Sequence, residues 1–210
     1  MLVFNYSTFI DPLLKDMRTC VVELSGVKAG DRVLDVGCGW GDQVFHFVQK
    51  GSIASGVDRN PNMIELAERM AQKRGFNQAS FRVAGATELP FPDGYFDIVS
   101  ISLALHEMRR DERNKAVSQM KRVVKKRGVL MFIDFQLPLA KNFIGYGIRA
   151  IEFIAGRENY RNFRDFFVQG GLPGILKENL LIPLKEALLL SGNIQAIKVF
   201  SPSPLPLPLP

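Results

Sequence analysis

Three glycines at alternate positions, Gly37, Gly39 and Gly41, close a short apolar run made of Val33, Leu34 and Val36, and no other stretch restricts the fold of this chain as tightly. A run of aliphatic and β-branched residues suits a strand buried on both faces of a parallel sheet. Glycine lets the backbone that follows turn at positive φ and approach a ligand without a Cβ in the way. Residues 42–50 come next, with Val44, Phe45, Phe47 and Val48 at helical spacing. A helix N-terminus therefore opens beside the turn, and its N–H groups favour an anionic group. The pattern reads as a site for a nucleoside-bearing ligand.

A dinucleotide site has the same strand, turn and helix, but its fingerprint is G-x-G-x-x-G/A. Counting from Gly37, the third small residue falls on Asp42; counting from Gly39, it falls on Val44. Neither position fits. Instead the first glycine is preceded two places earlier by Asp35, and a second acid, Asp58, ends the next apolar run, residues 53–57. An acid at the end of the second strand is placed to accept both hydroxyls of a ribose.

Four motifs follow one another: Asp35-Val-Gly-Cys-Gly-Trp-Gly41, Gly56-Val-Asp58, Leu89-Pro-Phe-Pro-Asp-Gly-Tyr-Phe-Asp97, and Val123-Val-Lys-Lys-Arg-Gly128 in front of a strand. In order and spacing, over about residues 30–135, they resemble the class I S-adenosylmethionine-dependent methyltransferases. Within these the chain is most similar to the group of the ubiquinone/menaquinone biosynthesis C-methyltransferases and phospholipid N-methyltransferases (methyltransferase type 11). The resemblance implies a Rossmann-like, seven-stranded, mostly parallel sheet with helices on both faces and the last strand antiparallel in a C-terminal hairpin. It implies S-adenosyl-L-methionine as cofactor, with Asp35, Gly37, Cys38, Gly39 and Gly41 at its methionine end, Asp58 at the ribose, and Arg59, Ala86, Thr87 and Ser102 around the remainder. Two positions depart from the family pattern. Arg59 stands where relatives commonly carry an apolar residue beside the adenine, and Gly85 stands where the adenine amino group usually meets an Asp.

The chain has 210 residues, 47% of them apolar, with no break in composition; the reading is one domain over residues 1–200. The start of the chain lacks the basic and apolar regions of a secretory leader, and no apolar run approaches the ~18 residues that span a bilayer. A cytoplasmic protein is expected. Cys20 and Cys38 offer neither a disulfide framework nor a metal cluster, and His46 and His106 are too few and too far apart for a metal, so none is expected. The net charge of +6 is concentrated in residues 121–127, expected at a helix end. No basic stripe is interleaved with stacking aromatics, so no nucleic-acid partner is expected. The charge is compatible with an anionic substrate or peripheral contact with a membrane surface.

Along the chain, residues 11–25 carry helical periodicity with Asp11 as cap and Pro12 in the first turn, and Tyr6 before them is a candidate cover for the cofactor. Strands are expected at 31–36, 53–57, 80–84, 96–102 and 129–135. Asn60 caps and Pro61 opens the helix after the second strand, and another helix is expected at 113–126. Residues 141–181 form a lid-like insertion, helical at 143–155, rich in aromatics at 160–167, and turning at 170–174. A hairpin (182–190 and 194–200) closes the domain, and residues 201–210 alternate proline as an extended tail.

Ligands of open α/β sheets lie outside the carboxyl ends of the strands. Residues 102–107 should therefore face the transferable methyl, and His106, next to Glu107, or Glu107 itself is expected to act as the base if the acceptor carries a proton. The N/D-P-P-Y/F motif of exocyclic-amine methylases is absent, Ser102-Leu-Ala-Leu105 standing in its place. The expected acceptor is a small or lipid-like molecule of the quinone-precursor or phospholipid-headgroup type. The alternatives are an RNA methyltransferase or a non-catalytic module that binds the cofactor.

Overall fold

The apolar runs become the strands of one sheet. The computed structural model describes residues 11–154 and 156–201; Tyr6 and the alternating prolines of 202–210, and with them the expected cover and tail, lie outside the described residues. The order along the chain is α1 (Asp11–Ser25), β1 (Arg32–Val36), α2 (Asp42–Val48), β2 (Ile53–Asp58), α3 (Pro61–Arg74), β3 (Ala79–Val83) and β4 (Phe96–Ser102). Then come α4 (Arg110–Val123), β5 (Val124–Phe135), α5 (Phe143–Ile154), α6 (Arg157–Gln169), α7 (Gly171–Glu178), β6 (Pro183–Leu189) and β7 (Ile194–Phe200). A single 3₁₀ turn, Leu105–Glu107, lies between β4 and α4.

The strands lie in the order β3-β2-β1-β4-β5-β7-β6. β1 to β5 are mutually parallel, and β7 runs antiparallel to both β5 and β6. Successive strands step one way from β1 to β3 and the other way from β4 to β5. Right-handed crossovers then put α2 and α3 on one face of the sheet and α4 on the other, which is the expected doubly covered, Rossmann-like architecture. Val33, Leu34, Val99, Ile101 and residues 130–133 are fully buried in its centre.

Local signals account for most boundaries. The Asn60 side chain accepts from the Asn62 N–H at 3.0 Å with Pro61 in the first turn, and Gly75 in the left-handed region ends the same helix. Two expectations need correction. The helix expected to reach residue 126 stops at Val123, because Val124 is buried and pairs with Phe96 in the sheet; the basic run 121–127 thus straddles helix and strand. Residues 170–174, expected as a turn, are a turn only at Gly170. α7 starts at Gly171, and Leu172, Ile175 and Leu176 bury at helical spacing, while Pro173 in the first turn gives up an N–H that a helix leaves unused there.

Candidate active site

β1 and β4 are neighbours although the chain leaves β1 in the opposite direction, so the crevice between their carboxyl ends is the topological switch point of the sheet, where ligands bind. The glycine turn sits there. The Gly37 and Cys38 N–H groups both donate to the Val57 carbonyl, at 2.8 and 2.9 Å, stitching the turn to β2. Gly41, at φ +86°, has no alternative residue: an added Cβ would stand 2.7 Å from Cε1 and Cζ of Phe81. Gly39 differs, because a Cβ there would meet nothing within 4 Å, so the turn presents bare backbone to open space.

Asp58 ends β2 directly beside this turn. Its Oδ2 accepts the Gly39 N–H at 3.0 Å and its Oδ1 the Asn60 N–H at 2.8 Å, which fixes the carboxylate between the turn and the start of α3. It lines a cleft of about 300 Å³ with Gly37, Arg59 and the small residues Ala84, Gly85 and Ala86. Thr87, Leu103, Ala104, Glu107, Met108 and Glu112 complete the wall. Leu103 holds φ +50°, a left-handed conformation uncommon outside glycine and often met at functional sites. The cleft gathers three carboxylates, Asp58, Glu107 and Glu112, against the single guanidinium of Arg59, in a chain whose net charge is +6. Such a surface favours a ligand carrying positive charge.

Of the residues expected at the cofactor, Gly37, Asp58, Arg59, Ala86 and Thr87 line the cleft; Cys38, Gly39 and Gly41 shape the turn above it. Asp35 lies beneath the turn, 2% exposed, and accepts the Ser100 hydroxyl at 2.7 Å from the strand paired with it. Burial pushes its carboxyl up to about 7, opposed by the Ser100 hydrogen bond and the charge of Arg18 and reinforced by Asp58. Burial likewise raises the Cys38 thiol, with Asp35 and Asp58 adding to the effect, which disfavours the thiolate. The Ser102 hydroxyl is buried and meets no hydrogen-bond partner among the described residues, and Ser102 is not among the residues that line the cleft.

The expected His106–Glu107 pairing is not the one that forms. His106 is 3% exposed, and its Nδ1 lies 2.7 Å from Oδ1 of Asp134 on β5. An ionised Asp134 can only accept, so Nδ1 donates. The same carboxylate accepts the backbone N–H groups of Leu105, His106 and Phe135 and thereby holds the whole 3₁₀ turn. The imidazole packs against Phe135, Phe163 and Phe166, behind the cleft wall. Glu107 points the other way, into the cleft, while its carbonyl accepts from Asn162 Nδ2 at 2.8 Å.

Two residues that hold the site escaped the sequence reading. Asp134 had a signal, since it is the only acid in the otherwise apolar stretch 129–135. Arg113 had none, as it sits in a highly charged stretch that reads as a solvated helix face. It is fully buried instead, with Nε donating to the Leu105 carbonyl at 2.9 Å and Nη2 to the Asn162 carbonyl at 2.6 Å. Nη1 reaches Asp165 and Gln169, both at 2.8 Å.

Residues 33–128 match the methyltransferase domain family. The chain is 35% identical to the ubiquinone/menaquinone biosynthesis C-methyltransferase UbiE of Francisella tularensis subsp. holarctica over 138 residues, 62% of this chain and 54% of that protein. It is 35% identical to the protein of the same name from Pectobacterium carotovorum over 124 residues, 57% and 49% of the two chains. The chain thus spans about half the length of the curated relatives it matches. Among solved structures, it is similar to a SAM-dependent methyltransferase from Aquifex aeolicus (TM-score 0.66, 19% identity, 87% of this chain and 88% of that one). It is also similar to geranyl diphosphate methyltransferase in complex with SAM (TM-score 0.69, 15% identity, 91% and 87%). These structural likenesses concern the Rossmann-like fold.

Proposed function

We propose that the protein is a class I S-adenosylmethionine-dependent methyltransferase acting on a small-molecule or lipid-like acceptor, of the quinone-precursor or phospholipid-headgroup type, a reading supported by the match of residues 33–128 to the methyltransferase domain and by the 35% identity to UbiE. The observation that carries the reading is the Asp58 carboxylate, fixed by the Gly39 and Asn60 N–H groups at the mouth of an acidic cleft at the switch point. The residues present fit the cofactor. The bare backbone at Gly39 leaves room for its methionine end, and the carboxylates of the cleft match its positive charges. A side chain at Gly85 would meet only Thr87 Oγ1, at 3.8 Å, so the wall there is open enough for a flat ring.

Bound S-adenosylmethionine supplies a methyl group already activated on a sulfonium. The protein's share is then to bind, to orient and to exclude water. Asp58 would accept the ribose hydroxyls with the lone pairs that the two backbone N–H groups leave unused, and Arg59, Ala86 and Thr87 would hold the adenine end. Holding the acceptor in line contributes about 7–11 kcal/mol in well-oriented systems, and this is the role assigned to the 3₁₀ turn and the helices behind it. Glu107, which faces the cleft, is the group that takes a proton if the acceptor carries one. His106 acts through position, clamping with Asp134 the turn from which Glu107 projects.

Calorimetric titration with S-adenosylmethionine and its demethylated product tests the reading. Asp58→Ala removes the charged acceptor and is expected to weaken binding by about 1.5–3 kcal/mol for each hydrogen bond lost to a charged group. Wild-type protein that takes up no cofactor, or an Asp58→Ala variant of unchanged affinity, overturns it.

A further inference from the structure

The outward arc of α5 is apolar from end to end. At 3.6 residues per turn, Phe143, Gly147, Ala150 and Ile154 stand in one line, with Tyr146 and Phe153 on one side and Ile151 on the other. All of them are exposed, Phe143 at 93%, Phe153 at 71% and Ile154 at 80%, while Gly145 and Ile148 face the protein. A surface helix of a soluble protein ordinarily turns its apolar stripe inward, and an exposed contiguous apolar patch marks an interaction site. Beside this arc, Phe153, Tyr160, Phe163, Phe167 and Val168 line an open groove of about 710 Å³ between α5 and α6, with Arg149 and Arg164 also in its wall. Charge around the patch has one sign in excess. Residues 141–169 carry Lys141, Arg149, Arg157, Arg161 and Arg164, all exposed, against Glu152, Glu158 and Asp165, and Asp165 is engaged by the buried Arg113.

We propose that this face of α5, with the arginine-rimmed groove beside it, docks onto the surface of an anionic phospholipid bilayer. An apolar helical face rimmed by arginines is the composition of a helix that lies in the headgroup boundary, where each arginine near the surface adds to the attraction. Twelve residues give a helix about 18 Å long, and among the described residues no helix is long and apolar enough to cross a membrane; α5 lies on the bilayer and does not span it. A second copy of the chain suits the face poorly, because a two-fold interface repeats the same patch on both sides and would set its excess arginines against one another. The consequence for the site rests on the methyl-transfer reading, whereas the docking does not. Phe163 forms part of both the groove and the packing around His106, so the groove backs directly onto the turn that carries Glu107. An amphiphilic acceptor would then enter from the membrane side.

Co-sedimentation of the purified chain with vesicles decides the matter without cofactor or turnover, so its failure leaves the methyl-transfer reading untouched. Wild-type protein should pellet with vesicles of equimolar phosphatidylcholine and phosphatidylglycerol, stay in solution with phosphatidylcholine alone, and be released by salt. The double variant Phe153→Ser, Ile154→Ser should partition about tenfold less, and Arg149→Ala or Arg164→Ala about fivefold less each. Both side chains of the double variant are largely exposed, so its thermal unfolding should match wild type, which separates lost docking from lost folding. Wild-type protein that ignores the anionic vesicles overturns the proposal, as do variants that bind like wild type. A dimer on gel filtration that the double variant dissociates overturns it in favour of a second copy as occupant.

Discussion

Residues 33–128 seal most of their large apolar side chains, whereas residues 141–169 bury Ile148, Phe163 and Phe166 and leave several others in the open. In the first stretch Val33, Leu34, Val36, Phe45 and Phe47 are sealed in the sheet and its covering helices, and the polar groups that remain, Asp58, Glu107 and Glu112, converge on one cleft. In the second, Phe143, Tyr146, Phe153, Ile154 and Val168 face outward. A region that must hold a fixed ligand spends its residues on backbone geometry and carboxylate placement, so it carries motifs. The second, proposed to dock and to admit the acceptor, needs only a helical stripe and charge, and carries none. The two are joined by Arg113 to Asn162, Asp165 and Gln169, by Asn162 to the Glu107 carbonyl, and by the packing of Phe163 and Phe166 against His106.

The sharpest way to break this division is at the turn where the regions meet. Glu107→Gln should slow methyl transfer by about 10²–10⁴-fold for an acceptor that gives up a proton, with cofactor affinity nearly unchanged. His106→Gln should cost less, because it disturbs the clamp on Asp134 and leaves the carboxylate that lines the cleft in place. If His106→Gln costs as much and also abolishes the acid limb of the rate profile, the imidazole is itself the base, and the phenylalanines around it must open. Arg113→Ala tests the bolt between the regions. It leaves the carbonyls of Leu105 and Asn162 without their buried donor, and urea unfolding should report a loss of about 3 kcal/mol. Most of that comes from the carbonyls, since the Asp165 side chain is 42% exposed and screened by solvent. A loss below about 0.5 kcal/mol, the range of ordinary surface substitutions, would mean that Asn162 and the phenylalanines packed on His106 hold α6 to the turn without the guanidinium.

The smallest effect concerns Asp35, buried within the first region. With its carboxyl raised from 3.8 to about 7, the folded state keeps a proton that the unfolded chain has released across that window, so stability falls as pH rises through it. Asp35→Asn keeps an acceptor for Ser100 and cannot ionise. Thermal unfolding of the variant should lose this slope and gain on the order of 2 kcal/mol over wild type at pH 8 relative to pH 5. Identical slopes in the two proteins would show that the Asp35 carboxyl titrates in the fold as it does in the unfolded chain.

What was legible in the sequence was legible for backbone reasons. A glycine at φ +86° against Phe81, an Asn–Pro helix start and an acid at the end of β2 are each dictated within a few residues, and the structure has them where the spacing expects them. β4 has the very bounds its apolar run suggests. Where the reading slipped, a local signal met a tertiary one: Val124 left its helix to pair with Phe96, and the glycines and proline of 170–174 gave way to the burial of Leu172, Ile175 and Leu176.

The sequence by itself thus determined the fold class, the glycine turn and the acid that ends β2, because glycine, proline and strand-end carboxylates act through their own few bonds. Only the tertiary structure decided which carboxylate meets His106, that Asp35 lies beneath the turn and Asp58 beside the cleft, and that Arg113 of a charged helix is a buried bolt. Those choices are made by side chains brought together from strands and helices distant in sequence. Whether a charge is solvated, paired or sealed depends on what the fold packs around it, and no local pattern carries that information.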